Sequence, residues 1–73
     1  MINAAFIYVA PGQNPQEQKA VIPSDTLTLH VVGCSTYDQA ETAAKELVAN
    51  GCGAIELCAG FGNEGIARIK KAV

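Results

Sequence analysis

Near its end the chain carries Gly60, Gly62 and Gly65 in G-x-G-x-x-G spacing, with Asn63 between the last two. After a strand and at the opening of a helix, this pattern lets backbone amides approach an anion at the helix amino terminus, so the ligand it would serve is a phosphate or a carboxylate. A dinucleotide site needs a following strand with an acidic residue about 20 positions on, to hold the ribose. The sequence ends at Val73, short of that position. The same glycines have a conformational reading: a tight strand-to-helix turn with Asn63 as helix cap.

A second group comprises His30, Glu56, Cys34 and Cys58. Side chains alternate along a strand, so Thr28, His30, Val32 and Cys34 share one face, and Leu27, Leu29 and Val31 share the other. Further on, Ile55 and Leu57 separate in the same way from Ala54, Glu56 and Cys58. Apolar burial contributes about 25 cal/mol per Å², whereas a covered His or Glu must be desolvated, so a helix is expected on the more apolar faces. His30 and Glu56 are then predicted to share the uncovered face, as candidates for an acid/base pair beside a thiol. No third group orients a nucleophile there. The competing reading makes His30 an interior or interface residue, Glu56 a solvent- or partner-facing one, and the cysteines small hydrophobes.

The elements that position these residues follow from patterning. Ile2 to Ala10 is one apolar run ended by Pro11 and Gly12, as in a strand buried on both faces. Pro11 to Asp25 is polar and holds all three prolines; Asn14, Pro15 and Glu17 have the order of a helix start, so a helical turn or two is expected before Pro23. Its Gln13 to Lys19 portion reads either as a solvated connection or as a lid. Thr26 to Gly33 reads as a second strand. A helix from Thr36 to Asn50 follows, with Thr36 and Gln39 at capping-box spacing and Ala40, Ala43, Ala44, Leu47 and Val48 on one stripe. Asn50 and Gly51 stop it, Gly53 to Cys58 reads as a third strand, and Ile66, Ile69 and Val73 mark a last helix with Lys70 and Lys71 in its final turn. The second and third strands are expected to be parallel, as in a βαβ unit.

These readings combine into one α/β domain over residues 1–73, in the order β-loop-β-α-β-α, with an at least partly parallel three-stranded sheet and helices mainly on one face. Charged residues make up 16% of the chain and hydrophobic ones 49%, against about 25% charged in an ordinary domain. A domain this small hides only about 60% of the surface its unfolded chain exposes, so a second copy is expected to cover the surplus, on the face bearing His30 and Glu56. A net charge of -2 disfavours nucleic acid, and Tyr8 and Tyr37 are too few for a base-stacking platform. Three Cys without a C-x-x-C pair disfavour a disulfide framework and a zinc site. The apolar start is far below the roughly 20 residues of a membrane span and has no basic leader, so a cytoplasmic location is expected. No cofactor is implied.

Two segments, Ala4-Ala5-Phe6-Ile7-Tyr8-Val9-Ala10-Pro11-Gly12 and Ala54-Ile55-Glu56-Leu57-Cys58 with Gly60-Phe61-Gly62 and Gly65, resemble a group of short bacterial proteins of unknown function. The resemblance implies a small cytoplasmic α/β protein and brings no assigned activity, cofactor or catalytic residue. Members of that group often continue past the final helix with a further strand, so a partner subunit is expected to supply that pairing here. The functional expectation is a homo-oligomeric, dimeric binding or structural module without catalysis. Its alternative is a small-ligand binder or enzyme using Gly60 to Gly65 for an anionic group.

Overall fold

The computed structural model describes residues 2–73. Strands β1 (Ile2–Val9), β2 (Lys19–Pro23) and β3 (Leu27–Cys34) precede helix α1 (Tyr37–Ala49). Strand β4 (Ala54–Leu57), a 3₁₀ turn over Ala59–Phe61 and helix α2 (Gly62–Ala72) follow. The strands form one mixed sheet in the order β2-β3-β1-β4, with β1 parallel to both neighbours and β2 antiparallel to β3.

The apolar run of β1 lies inside the sheet, but it is not buried on both faces as expected: Ala5 and Ile7, toward the helices, are wholly buried, whereas Ala4, Phe6 and Tyr8 face the side without helices and are only partly covered. β3 and β4 are parallel in direction, as expected of a βαβ unit, but β1 lies between them. The sheet has four strands, one more than the three expected, because the stretch after Pro11 holds a strand as well as a turn. The turn is brief: the Asn14 carbonyl accepts from the amides of Glu17 at 2.9 Å and Gln18 at 2.7 Å. Ala20, Val21 and Ile22 then pair with β3. Pro23 is tolerated because β2 is an edge strand.

The α1 cap forms where its spacing places it. Thr36 Oγ1 accepts from the Gln39 amide at 3.1 Å, and Gln39 Oε1 accepts from the Ser35 amide at 2.8 Å, so two free helix-start donors are satisfied. Gly51, at φ +99°, makes the left-handed exit. The stripe of Ala40, Ala43 and Ala44 is short enough to bring α1 close onto β1 and β3, where it buries Ile7, Val32 and Cys34.

α2 is held to α1 by an aromatic and ionic lock. The Tyr37 and Phe61 rings stack with centroids 5.8 Å apart, and the Tyr37 hydroxyl donates to the Phe61 carbonyl at 2.8 Å. Arg68 lies 5.6 Å from the Tyr37 ring centroid and donates to both Asp38 and Glu41. Gly65 leaves room for this stack: a β carbon there would lie 2.9 Å from Tyr37 Cε1 and 3.0 Å from Phe61 Cβ.

Gly65→Ala therefore sets a helix-propensity gain of about 1 kcal/mol against an overpacking loss of about 1–3 kcal/mol. Loss prevails because both rings are pinned by each other. Urea unfolding is expected to show a midpoint lowered by about 1–2 kcal/mol of stability with an unchanged slope; an equal or higher midpoint would show that the stack yields freely.

Candidate functional site

The register decides which reactive side chains meet. His30 pairs with Ala5 of β1, and Glu56 pairs with Phe6, the next residue along. Consecutive strand residues face opposite ways, so the imidazole and the carboxylate lie on opposite faces of the sheet. The expected acid/base pair is not assembled. The face assignment is corrected too: α1 covers the face of His30, Val32 and Cys34, shared with Ile7, Ile55 and Leu57, and leaves Leu27, Leu29 and Val31 on the open one. The polarity of one strand is outweighed by that of two others. Ala5 and Ile7 of β1 and Ile55 and Leu57 of β4 turn toward the helices, and β3 must follow its register with β1.

His30 escapes desolvation because β2 extends the sheet beyond the reach of α1. A cleft of about 550 Å³ lies between β2, β3 and α1, in the size range of small-molecule sites, and His30 is half-buried within it. Lys19 and Val21 of β2 form one wall and Thr42, Glu46 and Leu47 of α1 the other, over Val32. Lys19, Val21 and Glu46 were not singled out from the sequence; the β-branched pair Val21-Ile22 before Pro23 was the available signal for β2. A second cleft, of about 640 Å³, follows the outer edge of β4, where Ile55, Leu57, Ile66 and Val73 line it.

The glycine turn is explained by packing. Gly62 has φ +62°, a conformation that L side chains rarely adopt, and Gly65 accommodates the Tyr37 ring. Gly60 sits 3.4 Å, measured from an added β carbon, from both Cys58 Sγ and the Val9 carbonyl. Asn63 is not the cap of α2; Phe61 precedes the helix without a side-chain cap, and Asn63 is an exposed residue of its first turn. Glu64 supplies a negative charge to that same turn.

All three cysteines are free thiols. Cys34 is wholly buried, and burial pushes its thiol up from the ordinary value of 9.0. Cys52 is raised for the same reason. Cys58 Sγ instead accepts from the Val9 amide at 3.4 Å. Among the described residues, no group of three or more His, Cys, Asp or Glu is placed to hold a metal ion, and no helix is long and apolar enough to cross a membrane.

The arrangement defines a small mixed α/β protein with a helix-covered sheet face, a cleft at each edge of that face and an opposite face without helices. The chain belongs to a family of unknown function, DUF6506, whose model matches residues 2–73. No curated protein and no solved structure matches it.

The buried thiol yields a pH prediction. A group that holds its proton more firmly when folded contributes stability that is complete below its unfolded pKa and is lost as pH rises past it. Unfolding free energy should therefore fall above about pH 9. Iodoacetamide at pH 8 should modify Cys34 at least about 100-fold more slowly in the native protein than in urea, since access requires local opening of about 3 kcal/mol. Comparable native and denatured rates would show that Cys34 is not sealed.

Proposed function

We propose that the protein is a homo-oligomeric binding module, assembled as a dimer through the open face of its sheet and not, as expected, through the His30 face, which α1 covers, and that it performs no catalysis. The observation that carries this reading is the composition of that face. Ile2, Phe6, Leu27, Leu29, Val31 and Ile22 project from three adjacent strands, and among the described residues Glu56, on the edge strand β4, is the sole charged strand residue that shares it. Ile2 and Ile22 are 59% and 55% exposed, and the other four are half-buried or less covered than the core. Continuous apolar surface of this kind marks an interaction site.

The area suits a small interface. At about 4.8 Å between strands and 3.3 Å per residue, the 8, 5, 8 and 4 residues of β1 to β4 present a footprint of about 400 Å² per copy. Two such faces bury about 800 Å², and side-chain relief brings the total toward the roughly 1,000 Å² of a specific interface. Apolar sheets pack face to face about 10 Å apart, which is the geometry proposed here. The absence of catalysis is inferred from the separation of His30 and Glu56 across the sheet and from the burial of Cys34. A cytoplasmic setting fits the free thiols.

Sedimentation equilibrium at micromolar concentration should give twice the 7.6 kDa of one chain. Ile22→Glu and Leu29→Glu each place an unpaired charge in the interface and should weaken association at least about 10-fold, or about 1.4 kcal/mol. Ile22 is exposed in one copy, so its variant should keep the wild-type circular dichroism. A monomeric wild-type protein, or a dimer indifferent to both variants, would overturn the assembly.

A further inference from the structure

The cleft between β2 and α1 has a charge pattern of its own. α1 begins just after β3 ends and runs back over the sheet, so that the Gly53 amide reaches the Asn3 carbonyl, at the start of β1, at 2.9 Å. Its first turn therefore lies toward the end of the cleft where Lys19 pairs with Val32, and Glu46 lies toward the end where Val21 pairs with His30. Asp38, also in the cleft wall, is paired with Arg68, which it shares with Glu41. Among the described residues Lys19 and Glu46 have no ion-pair partner, and the His30 imidazole has no hydrogen-bond partner. Two uncompensated charges of opposite sign thus stand at opposite ends of a largely apolar trough floored by Val32 and walled by Val21 and Leu47.

We propose that this cleft binds a small zwitterion with an apolar middle, its carboxylate toward Lys19 and its ammonium group toward Glu46. Lys19 is level with Val32 and Glu46 lies toward the level of His30, about 7 Å further along the strand, and the width of the trough between β2 and α1 adds to that separation. An extended tripeptide, at about 3.3 Å per residue, spans such a distance, and so does a long ω-amino acid. Both share the recognised chemistry. The imidazole, at the Glu46 end of the floor, tells them apart, because a peptide has backbone groups for it to hydrogen-bond and an alkyl chain has none. The cleft lies on the sheet face opposite the proposed dimer interface, so the two proposals stand or fall separately.

The test is amide chemical-shift mapping of the full chain with four probes: Val-Ala-Val, 8-aminooctanoate, octanoate and octylamine. At least one zwitterion should bind with a Kd below about 10 mM, shift the amides of Lys19, Val21, His30 and Glu46, and bind at least about 10-fold more tightly than either singly charged probe. Lys19→Gln and Glu46→Gln, both at exposed positions, should each weaken it by about 2- to 5-fold. His30→Leu should weaken the peptide and spare 8-aminooctanoate. Binding by only one of the zwitterions identifies the source. The proposal is overturned if neither zwitterion shifts these amides at about 10 mM, if octanoate or octylamine binds as tightly, or if the two charge variants change nothing.

Discussion

Register with β1 governs the rest of the molecule. Because β1 is paired in parallel on both sides, the parity of each of its residues fixes the parity of β3 and β4, and through β3 that of β2. Turning Ala5 and Ile7 toward the helices commits His30, Val32 and Cys34, together with Ile55 and Leu57, to the same side. A slip of one residue would exchange every face at once. The small side chains of Ala40, Ala43 and Ala44 reinforce the choice, since α1 can settle closely on Ile7 and Val32. The stacked Tyr37 and Phe61 rings then bring α2 to the same side, so neither helix covers Phe6, Leu29 and Val31.

The parts of this arrangement that were readable from the sequence are the locally determined ones. The β1 run, the Thr36 cap, the alanine stripe and the Gly51 stop each arise from neighbours in the chain, and the structure contains all of them. β2 escaped detection because its start signal, Asn14-Pro15 with Glu17, is a sound helix beginning that a longer-range interaction overrides: pairing with β3 captures Ala20 to Ile22 after a single turn. The face of β3 was misread for a related reason. Considered alone, Leu27, Leu29 and Val31 outweigh Thr28, His30 and Cys34; considered with β1 inserted beside it, they do not.

The same non-local fact explains the candidate site. His30 and Glu56 share a face only if β3 and β4 are neighbours, and the interposed β1 removes that condition. Lys19, Val21 and Glu46 became visible only once β2 was known to extend the sheet past α1. The G-x-G-x-x-G spacing was legible as a turn, but the need for Gly65 comes from Tyr37, a residue 28 positions earlier whose ring occupies the space of a side chain. Local spacing cannot reveal such a partner.

Alternation along β3 also separates two kinds of surface within one strand. Leu29 and Val31 face outward toward the proposed second copy, while His30 and Val32, interleaved with them, face the cleft and the core. An interface residue and a cleft residue are therefore adjacent in sequence yet divided by the thickness of the sheet. A four-stranded sheet with helices on one side gains most from covering the other, because hydrophobic stabilisation scales with area while so short a chain has little core to spare. The proposed dimer face and the proposed ligand cleft thus draw on different side chains of the same strand.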